Sequence, residues 1–193
     1  MSAREDILKA VAANQPSSKL LPVVDISAVI AYDDVIKQFT TVLESIGGKV
    51  ISIPDLQSVK EEMATGTQQG KVMVNAIPEL GTIDQTLAEA TAHQLAAVDT
   101  FFTKGIIGVA ENGSVWVAES NMLNRLLPFI CQHLVLLVEK KNIVATMHHA
   151  YQQVDTFSEG FGAFIAGPSK TADIEQSLVI GAHGARSLVV YLL

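Results

Sequence analysis

The chain has 193 residues, 49% of them hydrophobic, which suits one domain with a substantial core. Its formal net charge is −7, and its 13 Lys and Arg residues form no block, which argues against nucleic acid or an anionic membrane surface as partners. The single cysteine, Cys131, excludes an internal disulfide and a four-cysteine iron–sulfur centre. Mixed charges at the N-terminus and interrupted apolar runs predict neither a secretory signal nor a membrane span, so we expect a cytoplasmic protein.

The first 22 residues are predicted to form an arm. Residues 4–14 have the pattern of a short helix with Ser2 as candidate N-cap and an apolar stripe that packs at an edge. Residues 15–22 contain two prolines and paired serines, which are typical of a linker. We therefore expect an arm over 1–22 and a single α/β domain over 23–193.

From residue 33 onwards the pattern alternates between helix and strand. The predicted elements are a helix over 35–46 capped by Asp33 and Asp34, a strand over 49–53, a helix over 56–64, a strand over 71–76, a helix over 84–90 and a strand over 95–102. Such alternation predicts a parallel sheet with flanking helices.

The second half begins with a hairpin signal and continues with buried-strand signals. Apolar runs over 106–110 and 114–118 flank Asn112 and Gly113, a pair that suits the positive φ values of a type I′ turn. The further predicted elements are a short helix over 123–129 closed by Pro128, a central strand over 133–138, a helix over 146–153 capped by Thr146, and a final strand over 187–193. The fold class is therefore three-layer α/β, with a mainly parallel sheet and one antiparallel hairpin.

A polar loop follows the strand-like residues 163–166. An apolar-periodic helix is predicted after it, reaching Val179, so the free N–H groups and positive dipole of the helix would face the loop. The loop residues predicted to bind an anionic ligand are Gly167, Ser169, Lys170, Thr171 and Asp173. The alternative is an ordinary capped helix start, and the glycine spacing does not fit a phosphate-binding P-loop.

His183 and Arg186 lie between two glycines and the last strand. In a functional interpretation Arg186 binds a carboxylate with two hydrogen bonds and His183 transfers a proton. In a structural interpretation Arg186 pairs with Asp173 or Glu175. We take His183 as a candidate catalytic residue and Arg186 as a candidate ligand-binding residue, and we find no metal-ligand spacing.

Glu111 directly follows the first hairpin strand, and Asn112 comes next. A carboxylate there lies at the rim of the sheet, and Glu-Asn-Gly is similar to the Ser-Glu-Asn-Gly of CoA transferases, in which the glutamate attacks an acyl thioester. The alternative is a solvated turn residue. We take Glu111 as catalytic and Asn112 as ligand-binding, and expect them to meet the 167–171 loop and His183 where open α/β sheets bind ligands.

Three segments together resemble the LUD-domain family of lactate-utilisation proteins. They are Gly-Val-Ala-Glu-Asn-Gly-Ser-Val-Trp-Val from Gly108, Gly-Pro-Ser-Lys-Thr-Ala-Asp-Ile-Glu from Gly167, and Gly-Ala-His-Gly-Ala-Arg-Ser-Leu from Gly181. The likeness is strongest from about Gly105 onwards. In that family the first motif usually reads Ala-Glu-Thr-Gly and the last Gly-Val-His-Gly-Pro-Arg, so Asn112, Ala182 and Ala185 are departures.

The resemblance implies a fold similar to that of the ribose-phosphate isomerases and CoA transferases. It also implies a subunit or accessory protein of an iron–sulfur system that oxidises L-lactate to pyruvate, with the clusters in cysteine-rich partner proteins and no cofactor in this chain. The expected ligand is a small carboxylate or another anion. Two alternatives stay open: a free-standing acyl- or CoA-transferring enzyme that uses Glu111, and a non-catalytic module for anion binding or assembly. Homo-oligomer formation is also left open.

Overall fold

The computed structural model describes residues 2–20, 22, 24–154, 159–171, 179–180 and 183–193. Its α-helices are α1 (Ala3–Ala13), α2 (Val35–Ser45), α3 (Gln57–Gln68), α4 (Ala92–Leu95), α5 (Glu119–Met122), α6 (Leu127–Ile130) and α7 (Met147–Gln153). Short 3₁₀ helices cover Ile26–Ala28, Pro78–Leu80, Gln85–Glu89 and Lys140–Asn142. In the part of the chain so described, no helix is both long and apolar enough to span a membrane.

The main sheet is entirely parallel, with the strand order β1-β11-β6-β3-β2. Its strands are β1 (Lys49–Ser52), β2 (Met73–Asn75), β3 (Thr100–Lys104), β6 (His133–Val138) and β11 (Ser187–Leu192). β6 lies at the centre and is buried from Leu134 to Val138, as its unbroken apolar run predicts. The predicted parallel sheet is confirmed.

A second sheet contains four strands in the order β7-β4-β5-β8. They are β4 (Ile107–Val109), β5 (Ser114–Ala118), β7 (Ile143–Val144) and β8 (Gly162–Ile165). β4 and β5 form the predicted antiparallel hairpin, and β8 adds to β5 in an antiparallel direction. The hairpin therefore belongs to a sheet of its own and not to the edge of the main sheet.

The main sheet is covered on both faces. On one face Phe39 and Leu43 of α2 and the inner residues of β5 pack with Phe101. On the other face Val59 of α3 packs with Phe102. Neighbouring residues of β3 thus point to opposite faces, as the period of a strand requires. These layers confirm the predicted three-layer α/β class.

Two helix starts show why the N-terminal helices form where the sequence predicts. Asp34 accepts hydrogen bonds from the N–H groups of Ile36 and Lys37 at 3.0 and 2.9 Å and begins α2. Ser2 and Glu5 form a reciprocal capping box at the start of α1. However, every residue of α1 is exposed, so the prediction that α1 packs at an edge is wrong.

Several predicted boundaries are wrong for local reasons. The strand predicted over 95–102 begins later than expected. α4 ends at Leu95, and β3 begins only at Thr100. Pro128 is the second residue of α6 and does not end a helix, since proline fits the first turn, where its missing N–H costs nothing. The helix predicted to reach Val179 is wrong there: β9 (Lys170–Thr171) pairs antiparallel with β10 (Val179–Ile180). Residues 172–178 lie outside the described residues.

The turn between β4 and β5 is not the predicted type I′ turn. Residues 110–113 form a four-residue turn in which Gly113 has a φ of 69° whereas Asn112 does not have a positive φ. The Gly113 N–H donates to the Val109 carbonyl at 2.9 Å. The Asn112 side-chain oxygen accepts hydrogen bonds from the Ser114 N–H and hydroxyl at 3.0 and 2.7 Å. The side chain, rather than a second positive φ, therefore stabilises the turn.

Glu111 connects this turn to α7. A carboxylate oxygen of Glu111 accepts a hydrogen bond at 3.1 Å from the N–H of Met147, the first residue of the helix. Thr146, the predicted cap, makes no capping bond with its side chain. Glu111 therefore provides a partner for a helix N–H group that has none within the helix. Its negative charge also interacts favourably with the positive end of the helix dipole.

We expect Glu111→Ala to lower the free energy of unfolding by about 1 kcal/mol, because α7 loses this hydrogen bond and the charge at its N-terminus. Urea denaturation followed by circular dichroism measures the change. Glu61→Ala is the control, because its exposed carboxylate in α3 accepts a local hydrogen bond from Gln57, and the change should alter stability by less than about 0.5 kcal/mol. Equal stability of Glu111→Ala and the unmodified protein would contradict this role.

Cys131 is 1% exposed, and burial raises the pKa of its thiol to about 12. The folded chain therefore keeps the thiol proton above roughly pH 8.5, where the unfolded chain loses it. We expect the thiol to react with a thiol reagent only after unfolding. The stability that Cys131 contributes relative to Cys131→Ala should be complete below about pH 8.5 and decline as the pH rises towards 12. A thiol that reacts rapidly in the folded protein would contradict this description.

Candidate functional site

A cleft of about 650 Å³ opens where the two sheets meet. It is bounded by the turn between β4 and β5, the end of α2, the loop after β8, and the segment before β11. Among the described lining residues, the polar side chains are those of Asn112, Ser169, Lys170 and His183, and the main chain of Gly167 and Gly184 also lines the cleft. Its apolar lining comes from Ile46, Pro128, Phe129, Leu134, Phe164, Ile165, Ala166, Pro168, Ala185 and Leu188.

Strand pairing brings these distant segments together. Val115 of β5 lies opposite Ile165 of β8, so the turn before β5 and the loop after β8 are at the same end of the second sheet. In the main sheet Leu134 lies opposite Leu188, which places the amino ends of β6 and β11 side by side. The cleft thus joins the carboxyl end of β8 to the amino ends of two parallel strands, and not to the carboxyl ends of the main sheet, where open α/β sheets usually bind ligands.

The loop after β8 is held in place at both of its ends. Gly167 has a φ of 71°, and a side chain there would lie 3.1 Å from the carbonyl oxygen of Ile46. The Ser169 N–H donates to the Ala185 carbonyl at 2.9 Å, which links the loop to the segment before β11. A Cβ atom at Gly184 would lie 3.2 Å from that of Ser169, so a small residue is needed there. Glycine at these two positions therefore permits the close contacts that hold the loop.

Lys170 supplies the positive charge of the cleft. Its side chain is exposed, and its ammonium group lies about 3.4 Å from the position of a Cβ atom at Gly47. Gly47 follows the carboxyl end of α2, where the helix dipole is negative and favours a cation. The end of α2 therefore helps to position the Lys170 ammonium group beside the cleft.

The other polar side chains of the cleft are neutral hydrogen-bonding groups or an imidazole. Because the oxygen of Asn112 accepts from Ser114, its amide nitrogen is the group that can donate to a ligand. Ser169 is half-buried and His183 is exposed. None of the described residues that line the cleft is acidic. The described lining therefore combines a cation and hydrogen-bond donors, the groups that an anion requires, with an apolar surface.

Not every predicted site residue contributes to this cleft. Glu111 is next to Asn112 in the turn, but it does not line the cleft, and its carboxylate binds the start of α7. Arg186 is exposed, and its main-chain N–H donates to the Gln132 carbonyl at 2.8 Å. Thr171 belongs to β9, and Asp173, like Glu175, lies outside the described residues. The structure thus brings together Asn112, Gly167, Ser169, Lys170 and His183.

The apolar side of the cleft was not predicted from the sequence. Pro128 and Phe129 lie in α6, and Phe164 lies in β8 beside Trp116, with ring centroids 4.8 Å apart. Phe129 is 40% exposed. An aromatic residue just before a buried strand was the available signal, but an isolated exposed phenylalanine is common on protein surfaces.

Metal binding has no support in the part of the chain that the structure describes, where no three His, Cys, Asp or Glu side chains form a possible ligand group. His148 and His149 are adjacent on α7. The Nδ1 atom of His149 forms a hydrogen bond with the Thr146 hydroxyl at 2.9 Å.

Comparison with known proteins gives relatives for part of the chain. The chain is 31% identical over 113 residues to a lactate utilization protein C of Shouchella clausii. This match covers 55% of this chain and 49% of that protein. It is 34% identical over 91 residues to a lactate utilization protein C of Bacillus pumilus, which covers 44% of this chain and 38% of the relative. The matched segments thus span less than half of each of these two relatives.

The fold is similar to that in a crystal structure of a DUF162 family protein from Deinococcus radiodurans, with a TM-score of 0.65 at 18% identity. The match covers 85% of this chain and 99% of that chain. At sequence level the LUD domain family matches residues 33–193, which include both sheets and the whole cleft. This chain belongs to the LUD domain family.

Proposed function

We propose that this chain acts in lactate utilisation and binds a small 2-hydroxy or 2-oxo carboxylate in the cleft between the two sheets. The observation that carries the proposal is a cleft that combines Lys170, His183 and Ser169 with no acidic residue among its described lining. Membership of the LUD domain family and the likeness to two proteins named lactate utilization protein C support the choice of pathway.

The lining groups match the needs of a carboxylate. Lys170 provides a cation, and the Ser169 hydroxyl and the Asn112 amide provide neutral donors. Hydrogen bonds in which one partner is charged are stronger than neutral ones, so Lys170 is expected to supply most of the attraction. A single cation suits a ligand with one negative charge better than a highly charged phosphate.

His183 is the candidate for proton transfer. Oxidation of a 2-hydroxy acid to a 2-oxo acid removes two electrons and two protons. The hydroxyl proton must go to a base, and the carbon-bound proton and the electron pair must go to an acceptor outside this chain. An imidazole exchanges protons near neutral pH and is therefore suited to accept the hydroxyl proton. His183 lines the same cleft as Lys170, so one bound ligand could contact both.

The electrons must leave the chain, because its side chains offer no suitable acceptor. An iron–sulfur cluster is normally held by four cysteines, whereas this chain has one. That residue, Cys131, is buried, and its raised thiol pKa opposes formation of the thiolate that binds metals. We therefore place the clusters in cysteine-rich partner proteins, and a cytoplasmic location fits such a complex.

A non-catalytic module is the second candidate. It is favoured by Lys170 and His183 having no carboxylate beside them among the described lining residues, since acid–base catalysis usually pairs such groups. CoA transfer by Glu111 is less favoured, because that carboxylate binds the Met147 N–H.

Lys170→Ala should weaken binding of L-lactate and pyruvate about tenfold, because a charge-assisted hydrogen bond contributes roughly 1.5–3 kcal/mol. Isothermal titration calorimetry measures both affinities. Lys60→Ala, which removes an exposed lysine on α3, is the matched control and should bind as the unmodified protein does. Equal affinities for Lys170→Ala and the unmodified protein would remove Lys170 from the site.

Loss of the encoding gene should abolish growth on L-lactate and leave growth on glucose intact. The unmodified gene and a His93→Ala variant, altered at an exposed histidine on α4 that does not line the cleft, should restore growth. A His183→Ala variant should restore it poorly. Growth rates on the two carbon sources measure the effect.

Normal growth on L-lactate without the gene would contradict a role in lactate utilisation. Full restoration by His183→Ala would retain that role but favour the non-catalytic candidate. Purification of the tagged chain from lactate-grown cells tests the partner directly, since the proposal expects a cysteine-rich protein that contains iron and acid-labile sulfide.

A further inference from the structure

We infer that the cleft prefers 2-hydroxy or 2-oxo acids that carry a bulky apolar or aromatic side chain over lactate itself. This inference rests on the proposed function, since it takes the cleft as a carboxylate site and asks what fills the remaining space.

The cleft is larger than lactate requires. Its volume of about 650 Å³ falls among the pockets of roughly 300–1,000 Å³ that enclose drug-sized ligands. Lactate consists of three carbons and three oxygens, so it would occupy a small part of this space. The rest of the cleft would stay filled with water against apolar walls, which forfeits the binding free energy that these walls offer.

The walls of the cleft suit an apolar or aromatic group. Most of the described lining is apolar, and it includes the aromatic rings of Phe129 and Phe164. Phe129 remains 40% exposed although it belongs to the cleft. Its ring is therefore available to a ligand, and an aromatic ligand could pack against it in an offset or edge-to-face arrangement.

The polar and the apolar lining groups of the cleft come from different segments of the chain. The charged and hydrogen-bonding groups come from the turn before β5, the loop after β8, and His183 before β11. The apolar groups Pro128 and Phe129 come from α6, and Leu134 and Leu188 from the amino ends of β6 and β11. A ligand with a carboxylate at one end and an apolar group at the other would use both sets.

Neutrality of the apolar part of the ligand follows from the same lining. Among the described residues that line the cleft, Lys170 is the one permanently charged side chain, and the ligand carboxylate would pair with it. A second charge on the ligand would face apolar groups and lose hydration without a partner. The ligand class is therefore a monocarboxylate with an uncharged, bulky substituent.

The test compares L-lactate with L-3-phenyllactate by calorimetric titration of the whole chain. We expect phenyllactate to bind about tenfold more tightly, equivalent to about 1.4 kcal/mol. Phe129→Ala should remove most of this difference, so that the ratio of the two affinities falls towards one. Leu126→Ala is the matched control, because Leu126 is 42% exposed in the same region of the chain and does not line the cleft.

Phenyllactate that binds no more tightly than lactate would overturn the inference and leave the proposed function standing. An unchanged ratio of the two affinities in Phe129→Ala would also overturn it. If the unmodified protein binds neither acid, the carboxylate site itself is wrong, and the proposed function fails together with the inference.

Discussion

The position of β11 between β1 and β6 is the constraint on which the rest of the structure depends. β11 pairs over six residues with β6 and over four with β1, so it joins the first strand of the main sheet to its centre. β1 lies at the edge of this sheet and has no other strand partner among the described residues. The segment that leads into β11 also lines the cleft, and correct assembly of the core therefore determines the position of His183.

The location of the cleft follows from this pairing and from the second sheet. The carboxyl ends of the main strands form a smaller cleft of about 320 Å³, where Lys104 pairs with Glu79 at 2.6 Å. In that ion pair the carboxylate compensates the charge of Lys104. The hydrogen bond that Glu79 accepts from Lys104 lowers the pKa of the Glu79 carboxyl. Lys170, in contrast, belongs to a cleft without an acidic group in its described lining. Size and charge thus both favour the cleft at the amino ends of β6 and β11.

The fold was predictable where short-range chemistry decides the structure. The Asp34 cap, the apolar period of α2 and the unbroken apolar run of β6 each specify an element without information from the rest of the chain. The turn at Asn112 and Gly113 was predicted as a turn but with the wrong geometry, because the bond from Ser114 to the Asn112 side chain replaces a second positive φ. The separate second sheet was missed, since sequence periodicity does not show which strands share a sheet.

The lining of the candidate site was predictable in part for a related reason. Motifs identified Asn112, Ser169, Lys170 and His183 because polar residues beside glycines are visible in a sequence. They did not show that the Glu111 carboxylate would turn to Met147, 36 positions away. Nor did they show Phe129, whose relation to the loop after β8 exists only in three dimensions.

The Asn112-Gly113 pair has a consequence for chemical ageing of the protein. Asparagine followed by glycine deamidates when the glycine nitrogen attacks the side-chain amide and closes a succinimide ring. Here the Gly113 N–H is engaged by the Val109 carbonyl at 2.9 Å, and the Asn112 oxygen is held by Ser114, so the folded turn opposes the geometry of that attack. Where the turn does open and the reaction occurs, the product is a carboxylate inside the cleft, where it would repel an anion and compete with it for Lys170. The hydrogen bonds of the turn therefore preserve the charge of the site over the lifetime of the molecule.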